Sequence, residues 1–462
     1  MLKSKLLQNT FIISIGTIST KILSMILVPL YTIWLNPSQY GKYDLLISLS
    51  SLIVPCVTLQ LEQSVFRAYF EENKNKTKYI INSLVLVTIL NIIVDIVIVL
   101  FDSSVLLVIY CVYINLCAYY NLMMEFIRGN DLIKIYSLSN IIYNVMFFIF
   151  AIILVGKLKL NSEGLLTAAI ISYIIIFIIN FIILNNKIDN KIKFHVDFKI
   201  LKDQLIYSAP LIPNNLGFWI INLSDRFLIM YFLGSYINGI YALGSKIPTI
   251  IVTFFSAFSL AWQQEAISIN KSNISDDKKY KEIFFKLING LFSMLILVIP
   301  FLKIVYKFFI NERYYSSIYI VPILLYGTIF LCLSQFLSGI SIAKKQTRSI
   351  GATTVIAAIV NLGLNVCFLK EYGVLIAAMT TVLSYGIMFI LRIFCLKNRL
   401  IDKYIIYKFI KYTFCFFIAS LAVYINNMYA VIVIQILMII LFFLMNKHNI
   451  KLGVFSCNNK KK

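Results

Sequence analysis

Apolar runs of about 17 to 25 residues, each closed by charged residues, recur along the chain; at about 1.5 Å per helical residue each is long enough to cross a bilayer's hydrocarbon. About fourteen such runs are present. The first six cover 10–34, 43–61, 79–100, 105–124, 135–155 and 164–184. After a basic stretch, six more cover 205–233, 239–260, 283–306, 318–338, 349–369 and 373–394, and 405–424 and 428–445 finish the chain. This pattern predicts an all-α integral membrane protein with about fourteen transmembrane helices. The stretch that follows Lys3 and Lys5 runs past the length of a signal-peptide core and reads as the first span.

The connections support this segmentation. About 32 of the 42 basic residues fall on the side that holds both termini, about seven on the other and about three within runs. That bias places both termini of a multi-pass protein in the cytoplasm. Cytoplasmic connections then include Arg67 with Lys74, Lys76 and Lys78, next Lys344, Lys345 and Arg348, and finally Arg392 through Lys411. Trp34, Tyr40, Tyr43, Trp262, Tyr314 and Tyr315 stand near run ends, where amphipathic rings favour the membrane interface.

Two pairs of motifs repeat six runs apart. Asn36-Pro37-Ser38-Gln39-Tyr40-Gly41-Lys42-Tyr43 follows the first run, and Gly234-Ser235-Tyr236-Ile237-Asn238-Gly239-Ile240-Tyr241 follows the seventh. Gly164 with Ser172-Tyr173 opens the sixth, and Gly373 with Ser384-Tyr385 opens the twelfth. An even offset keeps orientation, so the halves are expected to be parallel repeats with a cavity between them. The expected organisation is a six-helix lobe (1–186), a basic cytoplasmic connector (187–204), a second six-helix lobe (205–396), and two extra C-terminal helices with a basic tail (397–462). The connector mixes Ile188, Ile192, Phe194, Phe198 and Leu201 with lysines. It reads either as a helix on the cytoplasmic surface among anionic headgroups or as a solvated linker.

Composition agrees with lipid as the solvent: 60% of residues are hydrophobic and 13% charged, against about 25% charged in soluble domains. A net charge of +22 would suit nucleic acid only if it were gathered on a soluble face, and here it is dispersed between apolar runs, so no nucleic-acid partner is expected. Eight cysteines without a C-x-x-C, and two histidines, His195 and His448, give neither a disulfide framework nor a zinc site. Gly239 and Gly244 with Ser245-Lys246 carry the P-loop residues in the wrong order at the start of a span. No constellation for covalent catalysis stands out, and the expectation is a transporter without metal or cofactor rather than an enzyme.

Charges within spans are costly unless paired or facing water, which makes Lys21, Arg226 and Lys246 the main candidates for substrate binding. Arg226 and Lys246 lie at similar depth, about 10 Å below the outer edge. The alternative is internal pairing, since Asp225 adjoins Arg226 and Asp95 lies in the outer part of the third span. Thr10, Ser14, Thr17, Lys21 and Ser24 line one helical face, as do Asn215, Trp219, Asn222 and Arg226, which join amides to an aromatic surface suited to sugars. Thr354, Asn361 and Asn365 form a similar stripe that reads rather as polar packing between helices. Asp95 and Asp225 are the candidates for ion coupling, and Pro210 and Pro213 are expected to break or kink the seventh span.

The motif around Asn36 to Tyr43, Leu59-Gln60-Leu61-Glu62 leading to Arg67, Asp225-Arg226-Phe227 through Gly234 to Tyr241, and Asn361-Leu362-Gly363-Leu364-Asn365 before Gly373 together resemble the bacterial polysaccharide-repeat flippases of the multidrug, oligosaccharidyl-lipid and polysaccharide exporter superfamily. The resemblance implies two six-helix lobes plus two helices and alternating access. It also implies a cargo of polyprenyl-pyrophosphate-linked oligosaccharide, moved to the outer leaflet for O-antigen or capsule-type polymers, with polymerase and glycosyltransferase partners. A drug exporter would favour an acidic cavity, and a polymerase would be expected to carry a long outer loop that this chain lacks. A lipid II exporter stays open, because fold does not fix cargo. Single cysteines placed around Lys344 are expected to be shielded from an impermeant thiol reagent in intact cells while those near Asn311 label; labelling of the Lys344 loop from outside overturns the orientation.

Overall fold

Asn36 starts a helix by a reciprocal cap: its side chain accepts from the Gln39 N–H at 2.9 Å, the Gln39 side chain accepts from the Asn36 N–H at 2.9 Å, and Pro37 takes the first helical position, where its missing N–H is harmless. The computed structural model describes residues 20, 23–70, 76–187, 196–271, 276–344, 346–396, 402–425 and 429–442, and every regular element among them is helical. The early helices are α1 (Leu23–Trp34), α2 (Pro37–Thr58), α3 (Leu61–Arg67), α4 (Lys76–Phe101), α5 (Val105–Gly129), α6 (Ile133–Ala151, extended by a π turn) and α7 (Asn161–Lys187). The short α8 (Phe198–Ser208) precedes α9 (Ile212–Gly244) and α10 (Lys246–Lys271). The remainder are α11 (Asp276–Phe309), α12 (Val321–Ala343), α13 (Thr347–Tyr372), α14 (Val374–Leu396), α15 (Lys403–Tyr424) and α16 (Tyr429–Phe442).

Among the described residues ten helices are long and apolar enough to cross a membrane, or twelve if each of two bent pairs counts as one span. The shorter apolar helices α1 and α16 stand where the first and last spans were expected, so all fourteen expected positions carry a helix. Their outward faces are apolar: Ile92, Ile93, Ile96, Val97 and Leu100 of α4, and Val355, Ile359 and Val366 of α13, are exposed, as lipid-facing helices require.

Close contacts divide the chain into two compact units, Met1–Gly239 and Ile240–Lys462. In the first, α5 packs on α2, α3, α4 and α7, and α6 packs on α7. In the second, α12 is enclosed by α10 and α14, α13 packs on α14, and α15 packs on α11. Trp262 of α10 stacks on Phe336 of α12 with ring centroids 4.2 Å apart and donates its indole N–H to the Phe336 carbonyl at 2.8 Å. Asp402 pairs with Lys281 and caps α15 by accepting from the Ile405 N–H, and these bonds, the lysine first, hold its carboxyl below the usual carboxylate range.

Several expectations change. The second span is broken: Leu59 and Gln60 both take left-handed φ (47° and 56°), and α3 leaves α2 at 59°, a conformation that costs non-glycine residues about 1 to 2 kcal/mol each. Around Pro210 the expected seventh span separates into α8, a 3₁₀ turn (Ala209–Leu211) and α9. From the connector α8 emerges as a helix fixed to the first unit, because buried Gln204 donates to the Tyr79 carbonyl and the Ser83 hydroxyl while Asn82 exchanges two backbone bonds with Asp197. Tyr40, Trp262 and Tyr314 are buried in protein rather than placed at the lipid interface, since their rings find helical neighbours. Arg392 lies inside α14 and is buried rather than in a loop.

In the first unit α9 meets α2 through small residues. A methyl group at Gly41 would collide with the Ser235 carbonyl and the Gly239 nitrogen, and one at Gly239 would collide with the backbone of Pro37. The two glycines of the repeated motifs therefore let these backbones touch, and the Asn238 amide seals the contact by donating to the Gly41 carbonyl at 2.7 Å. Gly41→Ala or Gly239→Ala is expected to lower stability by about 1 to 3 kcal/mol, read as the thermal midpoint of the detergent-solubilised protein. Gly351→Ala, where nothing stands within 4 Å of an added methyl, should leave it unchanged. Equal midpoints for all three would contradict the close approach.

Candidate functional site

The face of α2 that carries Gly41 continues at helical spacing through Asp44 to Ser48 and meets α9 on both sides of its break at Gly234 (φ 86°, ψ 174°), with Ser38 and Gly41 beyond the break and Asp44 and Ser48 before it. Ser38 bonds Ser235 at 2.5 Å, Gly41 receives Asn238, Asp44 pairs with Arg226 at 2.5 Å, and the Ser48 carbonyl accepts from the Trp219 indole N–H at 2.8 Å. Asp44 and Arg226 are 6% and 8% exposed. In such surroundings removing one member of a pair costs about 3 to 5 kcal/mol, because the survivor is left charged and unpaired.

Tyrosines extend from this pair. Tyr31, Tyr40 and Tyr43 form a group with centroids 5.7 to 6.5 Å apart. A second group is centred on Tyr173 of α7, which stacks on Tyr143 at 4.5 Å and meets Tyr120 at 5.0 Å and Tyr113 at 5.9 Å. Tyr110 stacks on Tyr113 and donates to the Leu46 carbonyl of α2 at 2.8 Å, which ties the second group beside Asp44. Phenol rings offer an apolar face with a hydroxyl at the rim, the combination that stacks on a pyranose and bonds its hydroxyls.

The structure thus joins Arg226 and Trp219 on one face of α9, as their spacing predicts. Asn215 and Asn222 share that face by spacing, but their side chains, like all of Thr17 and Lys21, lie outside what is described. Lys246 opens α10 in the second unit and is half-buried. Asp225 is buried beside Arg226 in sequence, and the acid paired with Arg226 at 2.5 Å is Asp44. Asp95 accepts from the Asn115 amide at 2.8 Å, joining α4 to α5. Asn365 bonds Asn361 and receives the Thr380 hydroxyl, as polar packing between α13 and α14 requires. Among the described residues no group of three His, Cys, Asp or Glu side chains is placed to hold a metal ion.

Asp44 and the tyrosines were missed from sequence. Starting the second span at Tyr43 made Asp44 a rim residue, whereas the cap at Asn36 places it two turns inside the helix. The available signal was the repeat of Tyr40, Asp44 and Ser48 along one face.

Residues 6–262 match the family described as "Polysaccharide biosynthesis protein". A curated relative, an uncharacterised membrane protein of Methanocaldococcus jannaschii, is 26% identical over 234 residues, which is 46% of this chain and 45% of the relative, so the chain spans about half the length of the curated relative it matches. Among solved structures, the lipid II flippase MurJ in an inward closed conformation superposes with a TM-score of 0.71 at 16% identity over 95% of this chain and 100% of that one. An inward-facing multidrug resistance MATE family transporter of the MOP superfamily superposes with a TM-score of 0.64 at 15% identity over 85% and 95%. These likenesses give the fold. With more than half of its length matched, the chain belongs to the polysaccharide biosynthesis protein family.

Proposed function

We propose that this membrane protein is a flippase that carries a polyprenyl-pyrophosphate-linked oligosaccharide from the cytoplasmic to the outer leaflet for surface-polysaccharide assembly, without catalysing a reaction. The observation that carries the reading is the buried Arg226–Asp44 pair beside a tyrosine surface, in a chain of this family. A guanidinium bonds phosphate oxygens in pairs and keeps its charge at any working pH. In the unloaded protein Asp44 occupies Arg226; a pyrophosphate brings more negative charge to the same donors and competes for them. Once Arg226 turns to the cargo, Asp44 no longer ties α2 to α9 and must reach water or take up a proton, because a buried carboxylate left unpaired is costly, so cargo binding and helix movement become one event. The tyrosines and Trp219 offer stacking faces to the sugars, and the lipid tail stays among the helices. Lys21, Thr17, Asn215, Asn222 and Lys246 are proposed to extend this surface, with Asp95 or Asp225 taking a coupling ion. In this scheme glycosyltransferases supply the cargo on the cytoplasmic side and a polymerase consumes it outside.

Charge-neutral replacements test the reading. Arg226→Gln is expected to lower surface-polymer export more than tenfold. Asp44→Asn combined with Arg226→Gln is expected to restore membrane abundance, because no unpaired charge remains, without restoring export. Export recovered along with abundance in the double variant would reduce the pair to a structural tie and remove the anion-binding role.

A further inference from the structure

Arg392 lies four residues before the end of α14 (Val374–Leu396), about 6 Å along the helix axis from that end. An arginine at this depth ordinarily extends its stem to place the guanidinium in water or among headgroups. This one is turned into the second unit and is 6% exposed. Its Nη1 donates to the Ser334 carbonyl of α12 at 2.8 Å, its Nε to the Thr353 hydroxyl at 3.2 Å, and its Nη2 to the Thr354 hydroxyl of α13 at 2.9 Å. All three partners are neutral. A guanidinium has five N–H donors, and three bonds leave two donors and the whole positive charge without an acceptor or counter-charge among the described residues. The hydroxyl of Ser334 is also fully buried and has no hydrogen-bond partner.

We infer that Arg392, held in place by the Thr353 and Thr354 hydroxyls that accept from it, forms with the Ser334 hydroxyl an oxyanion-binding site for a phosphate ester in the halves of α12, α13 and α14 nearest the Lys344–Arg348 loop. The geometry suits that ligand. The last residue of α12 is Ala343 and the first of α13 is Thr347, so the cluster lies on the side of the Lys344–Arg348 loop, the side expected to face the cytoplasm. Along their helices Arg392 lies about 6 Å, Thr353 about 9 Å and Ser334 about 13.5 Å from that side, so a phosphate bound here is drawn inward from the headgroup zone where lipid phosphates reside. One phosphate oxygen would neutralise the cation and accept from the unused N–H groups, while a second would accept the Ser334 hydroxyl. The phosphate belongs either to a membrane glycerophospholipid or to a polyprenyl diphosphate. This site is independent of the Arg226–Asp44 reading.

The full chain in detergent distinguishes the sources by native mass spectrometry with three probes, phosphatidylglycerol, polyprenyl diphosphate and inorganic diphosphate, against neutral diacylglycerol. Arg392→Gln is expected to weaken at least one phosphate probe about tenfold, and Thr353→Val with Thr354→Val, which keeps the cation, about threefold. Loss for phosphatidylglycerol identifies a membrane phospholipid, loss confined to polyprenyl diphosphate identifies the lipid carrier, and loss for inorganic diphosphate shows that the headgroup suffices. Asp44→Asn with Arg226→Gln, which leaves no unpaired charge, should leave the phosphatidylglycerol result unchanged, which separates failure here from failure of the proposed transport site. Wild-type binding of all three probes by folded Arg392→Gln overturns the inference. If that variant does not fold, wild-type binding by the double threonine variant overturns it instead.

Discussion

A charge inside hydrocarbon must be paired, hydrogen-bonded or exposed to water, and that requirement governs how the helices of this protein meet. In the first unit it is met by one short ion pair between Asp44 and Arg226, and the surrounding contacts keep α2 and α9 close enough to hold it. Gly41 and Gly239 permit the approach, the Asn36 cap fixes where α2 begins and so which residues face α9, and the Ser48–Trp219 bond extends the contact another turn. In the second unit the same requirement is met differently, by neutral hydroxyls and one carbonyl around Arg392.

Transport asks for interactions that can be exchanged, and an ion pair is well suited to that. Apolar packing such as Trp262 on Phe336 gives a rigid wall because it offers a polar ligand nothing to replace. The Arg226–Asp44 contact, by contrast, offers a cation whose present partner is another anion, so a phosphate can take its place without leaving the arginine bare. The tyrosine groups add surface that is apolar enough for a membrane interior and polar enough at its rim for sugars. The break at Leu59 and Gln60, where the backbone holds two left-handed residues, turns α3 away from α2 by 59°.

Much of this was legible in the sequence because the bilayer imposes a length and forbids most charge. Among the described residues each of the fourteen expected runs carries a helix, although the second and seventh are broken, and the spacing of Trp219 and Arg226 placed both on one face. What escaped was set by tertiary context. Asp44 was hidden by a helix start drawn at the first apolar residue rather than at the cap. Arg392 read as a loop cation, because a charge near a run's end looks like its boundary whether it points outward or inward. The tyrosines at 110, 113, 120, 143 and 173 were indistinguishable from other apolar residues until three helices brought their rings together. The break after Thr58 follows Pro55 by one turn, but the two left-handed positions themselves are Leu59 and Gln60 rather than the glycines that such a conformation favours.

In the proposed function a buried, exchangeable cation moves a phosphate-linked sugar lipid across the membrane. The most direct test of that function is translocation in vesicles that contain only the purified protein and a polyprenyl-pyrophosphate-linked oligosaccharide, scored by the fraction of sugar that becomes accessible to an impermeant glycan-modifying enzyme. The account predicts protein-dependent exposure that is competed by the diphosphate lipid and absent for an uncharged polyprenyl glycoside. Equal movement of the uncharged glycoside, or no movement of the diphosphate lipid by folded protein under any imposed ion gradient, would contradict it.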